Sequence, residues 1–170
     1  MASGLDRPIE GEIRDDPLAK ALRRVAAQPD VRTILEIGSS SGDGSTDALV
    51  AGALENPAGP PTLHCFELSR GRFERLAARH GNRGFVHCHR TSSVRTDRFM
   101  TSEKIREFCA GFSPWLRRRS QGRYLQWLEE DRSYARESNA DTDGIRELME
   151  QLDIGAFDAV LIDGSEFTGP

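Results

Sequence analysis

The segment Thr33-Ile-Leu-Glu-Ile-Gly-Ser-Ser-Ser-Gly-Asp-Gly-Ser-Thr46 constrains this chain more than any other stretch of it. A short apolar run carries a glutamate at its end, passes into glycines and serines, and continues into residues able to open a helix. A strand, a tight loop and a helix start in that order bring backbone N–H groups and a helix N-terminus to one point. Such a point suits the carboxylate or phosphate end of a nucleotide-like ligand. The first expectation is therefore a cofactor corner.

Size and charge narrow the setting. A chain of 170 residues holds one domain with a core of its own, so residues 1–170 are expected to form a single unit. The net charge of -4 leaves no basic field to draw in nucleic acid. No apolar run reaches the length of a membrane span, and the opening Met-Ala-Ser-Gly-Leu-Asp carries no signal-peptide core. Cys65, Cys88 and Cys109 form no spaced pair motif and leave one over, which favours a reducing, cytoplasmic setting. Neither a nucleic acid nor a membrane is expected as a partner.

Punctuation and periodicity set the element order. Asp16-Pro17 reads as an N-cap followed by proline at the first helical position, and Leu18, Ala21, Leu22 and Val25 continue a helix to about residue 28. Strands follow at 31–37, 62–66 and 84–89. A helix starting near Gly44 and another capped by Ser69 and closed by Gly81-Asn82 join them. Strand, helix, strand, helix, strand implies parallel pairing by crossovers. Residues 95–153 then show helical spacing three times before a strand at 157–162. The stripes are Ile105, Phe108, Cys109 and Phe112, broken at Ser113-Pro114; Tyr124, Trp127, Leu128 and Tyr134; and Ile145, Leu148, Met149 and Leu152. A crossover needs one helix, so two are surplus and are expected to form a helical cap over the corner.

Two cofactor classes compete. A dinucleotide fingerprint needs Gly-x-Gly-x-x-Gly, but Gly42-Asp-Gly44-Ser-Thr-Asp47 lacks the third glycine, and counting from Gly38 puts Ser40 second. Glu36-x-Gly38-x-Ser40-x-Gly42 instead resembles motif I of the class I S-adenosylmethionine-dependent methyltransferases, with Ser40 in the middle glycine position. Glu67 stands at the end of the second strand, where that family carries an acid for the ribose hydroxyls. Phe157-Asp-Ala-Val-Leu-Ile-Asp163-Gly164 is similar to the family's fourth strand, and its Ile-Asp-Gly ending is similar to the small-molecule O-methyltransferase branch.

The resemblance covers about 17–94 and 156–167 and implies an α/β fold. That fold is a Rossmann-like three-layer parallel sheet comprising the first four strands of the family, with a helical insertion before strand four. It implies S-adenosyl-L-methionine as cofactor. Glu36, Gly38, Ser39, Ser40, Ser41 and Gly42 would hold the methionine end, and Glu67 with Leu68 the ribose side. Ser92 or Ser93 would meet the adenine, a plain polar loop being the other reading there. Asp163 would face the reacting centre, and the acceptor would be an oxygen of a small molecule. Relatives of that branch often carry a histidine after Asp-Gly, where this chain has Ser165-Glu166-Phe167. Family members have further strands beyond the fourth, so the chain reads as truncated there. Its fourth strand would then need a cover, such as a second copy of the chain. Two other readings stay open: an idle methyltransferase-like fragment that pairs with a partner, and an NAD-dependent oxidoreductase.

Remaining clusters point elsewhere. His64-Cys65 and His87-Cys88-His89 lack the loop spacing of zinc ligands, and period two puts Cys88 opposite its neighbouring histidines. Asp163 with Glu166 would be a thin shell for Mg²⁺, so no metal is expected. Arg117-Arg-Arg119 and Arg123 read as a solvated face, with an anionic-substrate anchor as the sharper alternative.

Overall fold

The computed structural model describes residues 6, 13, 16–111 and 121–164. Helix α1 (Pro17–Ala26) starts as its capping chemistry dictates, the Asp16 carboxyl accepting the Ala19 N–H at 2.7 Å. Strand β1 (Thr33–Ile37), helix α2 (Ser45–Glu55), strand β2 (Thr62–Phe66), helix α3 (Arg70–His80) and strand β3 (Val86–His89) follow. A single 3₁₀ turn (Thr96–Arg98) leads into α4 (Ser102–Gly111), α5 (Gln121–Glu137) and α6 (Gly144–Leu152), and β4 (Ala159–Ile162) closes the series.

Helix α1 ends two residues before the position its apolar spacing predicts, because the buried Asn56 takes over the chain there. Its Nδ2 donates to the carbonyls of Ala26 at 3.2 Å, Gln28 at 2.5 Å and Val31 at 3.4 Å. These carbonyls would otherwise be buried orphans of the helix end. Strand pairing begins only beyond them, with Thr33 opposite Thr62.

The sheet is wholly parallel, in the order β3-β2-β1-β4, with helices on both faces, a Rossmann-like α/β arrangement. On one face Ile34, Leu63, Cys65 and Val86 pack under α1, α2 and α3 through Leu22, Leu49 and Leu76. On the other, Leu35, Ile37 and Phe66 pack under Leu148 of α6. Helix α6 is thus the crossover helix. The two surplus helices, α4 and α5, build a separate cluster from Phe99, Ile105, Tyr124 and Leu128. Phe108, expected in the first inward stripe, is 41% exposed, so that stripe is narrower than its spacing implies. Phe112, Ser113-Pro114 and Arg117–Arg119 lie outside the described residues.

Among the described residues strand β4 pairs only with β1, and Val160 and Ile162 stand 49% and 57% exposed on its α6-facing side. No helix among the described residues is long and apolar enough to cross a membrane.

The histidines sort as period two requires. His64 lies opposite His87, and Phe66 opposite His89, on the face away from Cys65 and Cys88. His64 Nδ1 is 3.1 Å from His89 Nε2, and its ring stacks on His87 at 5.2 Å between centroids. Burial, then the neighbouring His89 and His87, push the His64 imidazole down to about 4.

Two predictions follow from this packing. A Cβ at Gly52 would stand 2.1 Å from the Arg23 carbonyl oxygen of α1, a backbone atom that cannot step aside. Gly52→Ala is expected to lose about 2–3 kcal/mol in a urea titration by forcing α1 and α2 apart. For His64, the unfolded chain binds a proton near 6.5 and the folded one only near 4. Between those values the unfolded state holds more protons, so stability falls as pH drops through that window. In His64→Phe the urea midpoint should change less between pH 6.5 and pH 4 than it does in the parent protein.

Candidate functional site

The chain leaves β1, adds β2 and β3 on one side, and returns to place β4 on the other. The carboxyl ends of β1 and β4 therefore flank the point where strand order reverses, the usual ligand crevice of open α/β sheets. The Gly/Ser loop leaves β1 at this point, and Asp163 leaves β4. The Asp163 N–H donates to the Ile37 carbonyl at 2.9 Å.

The loop has backbone angles that explain its composition. Gly38, Ser40 and Gly42 have φ of 88°, 50° and 77°, a left-handed residue at every second position. Ser40 thus adopts the conformation for which the resembling motif uses glycine. A Cβ on Gly38 would lie 2.1 Å from the Asp163 carbonyl oxygen, so only glycine lets the β1 and β4 ends close on each other. One on Gly42 would lie 2.8 Å from the His80 ring. That close approach lets His80, 1% exposed, donate from Nε2 to the Gly42 carbonyl at 2.8 Å.

Glu36 sits beneath this loop and is fully buried. Its Oε2 accepts from the Ser39 hydroxyl at 2.7 Å and from the Thr46 hydroxyl at 2.7 Å. Its Oε1 accepts from the Ser45 hydroxyl at 2.6 Å. The expectation that Glu36 touches the methionine end meets a different arrangement: the carboxyl faces inward and binds the loop and the first turn of α2 to β1. The physical reason is period two, which pairs Glu36 with Cys65 on the face of the sheet that packs under α1, α2 and α3.

Glu67 is 7% exposed and reaches across to the loop. Its Oε2 accepts the Ser40 N–H at 2.8 Å and its Oε1 the Ser69 N–H at 2.7 Å. Burial raises its pKa above the usual glutamate value, opposed by these backbone donors and by Arg72. The start of α3 is equally well occupied. The Ser69 N–H goes to Glu67, the Arg70 N–H to the Tyr134 hydroxyl at 2.8 Å, the Gly71 N–H to Asp6 Oδ1 at 3.2 Å, and the Arg72 N–H to the Ser69 hydroxyl at 3.3 Å. All four N–H groups that a helix start leaves without intrahelical acceptors have side-chain partners.

Four of the loop's backbone N–H groups are held, that of Ser40 by Glu67. The Gly38 and Ser39 N–H groups both donate to the Phe66 carbonyl at 3.0 Å, and the Gly42 N–H to the Ser39 carbonyl at 3.0 Å. The buried Ser40 and Ser41 hydroxyl oxygens have no hydrogen-bond partners among the described residues. Leu68 is half-buried beside Glu67, and Asp163 is exposed. Ser92 is 4% exposed and turned inward, its hydroxyl donating to the Val94 carbonyl at 2.6 Å while its own carbonyl accepts the Gly144 N–H. The structure therefore gathers Glu36, the loop, Glu67 and Leu68 at one corner, with the Asp163 backbone packed against Gly38 from β4. Ser92 is used up in anchoring α6.

Glu166 and Arg117–Arg119 lie outside the described residues, and Arg123 stacks its guanidinium over Trp127 at 5.6 Å. Among the described residues no group of three or more His, Cys, Asp or Glu side chains is arranged to hold a metal ion. A cavity of about 490 Å³ opens on the flank of α6, where Asp143 lies 3.4 Å from both Arg98 and Arg146, and no loop residue lines it.

Sequence reasoning missed four contributors: Ser45 and Thr46, which hold Glu36; His80, which holds Gly42; and Tyr134, which reaches α3 from the insertion. The hydroxyls had a readable signal in the Ser-Thr pair opening α2. His80 and Tyr134 had none, since each acts across more than 30 positions of chain.

Neither a protein-family model nor a curated protein matches the chain.

Removing Glu36 would strand three buried hydroxyls, each costing about 1–3 kcal/mol when left unpaired. Glu36→Ala should therefore destabilise the fold by about 3 kcal/mol or more, and Thr46→Val by about 1 kcal/mol, both read by urea denaturation. An Ala variant as stable as the parent would refute this role for Glu36.

Proposed function

We propose that the chain is an S-adenosyl-L-methionine-binding domain of the class I methyltransferase type, acting on an oxygen of a small-molecule acceptor. One observation carries this reading: the Ser40 N–H of the Gly/Ser loop binds the Glu67 carboxyl at 2.8 Å, at the carboxyl end of a β3-β2-β1-β4 sheet. The motif loop and the distant acid, separate in sequence, meet at the place where such sheets take nucleotide ligands.

The residues present fit that ligand. Glu67 accepts the Ser40 and Ser69 N–H groups, one on each oxygen, with the Leu68 N–H also acting on the carboxyl, which leaves part of its acceptor capacity for a ribose hydroxyl. Ser40 and Ser41 bring buried hydroxyls without partners to the methionine side. When bound, the cofactor supplies a methyl group already activated on a sulfonium. This chain's task would then be positioning, with Glu67 and the loop fixing the donor and Asp163 on the β4 side of the crevice. Glu36 contributes by holding the loop in shape. We place the protein in the cytoplasm, where the free thiols of Cys65 and Cys88 would persist.

A second reading is a catalytically idle domain that pairs with a partner. It draws on the β4 edge, unpaired among the described residues, with its exposed Val160 and Ile162, and a second copy is the simplest cover.

Calorimetry with S-adenosylhomocysteine separates these. The expected result is micromolar binding that weakens at least tenfold in Glu67→Ala, a loss of about 1.4 kcal/mol. A folded protein that binds neither S-adenosylhomocysteine nor NAD would leave the second reading, and a preference for NAD would replace the first by an oxidoreductase.

A further inference from the structure

The insertion joins the α/β body in an unusual way at α3. Helices α4 and α5 have their own apolar cluster, distinct from the two clusters that sandwich the sheet. At the start of α3 the meeting is polar. The Tyr134 hydroxyl of α5 donates to Asp6 Oδ1 at 2.6 Å and accepts the Arg70 N–H at 2.8 Å. The same Asp6 oxygen accepts from the Ser69 hydroxyl at 3.1 Å and from the Gly71 N–H at 3.2 Å. Ser69 in turn gives its N–H to Glu67, whose other oxygen holds the Ser40 N–H of the loop. Burial and the neighbouring Asp6 raise the Tyr134 phenol above its ordinary value, so it keeps the proton it donates.

We propose that Tyr134, acting with Asp6, is a positioning residue for Glu67, so that docking of the insertion helix α5 sets the corner that takes the ligand. The inference rests on the reading of Glu67 as a ligand contact. Three parts of the chain far apart in sequence converge on the turn 67–71: residue 6, the β2–α3 junction and the insertion. Among the described residues a few hydrogen bonds, each worth about 1 kcal/mol net, link the elements at this joint. Such a joint can loosen without unfolding the body. A ligand that engages Glu67 would tighten it, and a loosened α5 would weaken the ligand.

The test uses the whole chain and begins without ligand. Tyr134→Phe keeps the ring and removes only the hydroxyl, and Asp6→Ala removes the other half of the joint. Backbone amide exchange is followed by NMR. A local capping role would speed exchange at Arg70 and Gly71 alone. The positioning role requires exchange at Ser40 to rise as well, by about tenfold, because among the described residues Ser40 is linked to the joint through Glu67. The second arm measures S-adenosylhomocysteine by calorimetry. Its Kd should rise about tenfold in each variant, and no further in the double variant, because both residues act through one joint. Unchanged Ser40 exchange in both single variants overturns the proposal. If Ser40 exchange rises while the parent protein binds no S-adenosylhomocysteine, the positioning of Glu67 stands and the assigned cofactor fails.

Discussion

The corner depends on one buried carboxyl group. Glu36 has no exposure to water, and a polar group in that position is tolerable only with its acceptor capacity used. Three hydroxyls use it, from Ser39 in the loop and from Ser45 and Thr46 at the head of α2. Strand β1, the Gly/Ser loop and α2 are therefore tied at one point, and their relative geometry is set before any ligand arrives. The alternating left-handed residues follow from that tie, because the chain must turn sharply to bring Ser39 and Thr46 back over the same carboxyl. His80 secures the far side of the loop by bonding the Gly42 carbonyl.

A second carboxyl, Glu67, extends the same logic between elements. It bridges the loop to the start of α3, and α3 is in turn bridged to the insertion by Tyr134 and Asp6. The two acids thus divide the work. Glu36 is turned inward and structural, while Glu67 accepts backbone N–H groups from both of the elements it joins. Under the proposed function, that division would let the corner be preorganised and still offer a group to a ligand. Preorganisation of this kind lowers the ordering cost that binding would otherwise carry.

Much of the fold was legible in the chain itself. Asp16-Pro17, the apolar run at 33–37, the Asn-Pro-Ala-Gly-Pro-Pro break after α2 and the Ser69 cap are local signals, and each element lies within a few residues of the place they indicate. Alternation of strands and helices implied parallel pairing, and the sheet is parallel. Elements went astray at their ends where a distant residue intervened. Asn56 cut α1 short, and Phe108 was left exposed although its spacing matched its buried neighbour Ile105.

At the site the boundary is sharper. The sequence by itself determined where a glycine-bearing turn would fall, which acids would stand at strand ends, and that the insertion held more helices than a crossover needs. These are properties of neighbouring residues, and local sterics and capping act over a few positions. Only the tertiary structure decided the direction each acid faces. Register pairs Glu36 with Cys65 under the helices, and burial there makes its carboxyl a tie for hydroxyls. Glu67, one residue past its strand, escapes that alternation and reaches the loop. Only packing, likewise, brings Tyr134 to the start of α3, since a hydrogen bond spanning 64 positions leaves no periodic trace in the chain.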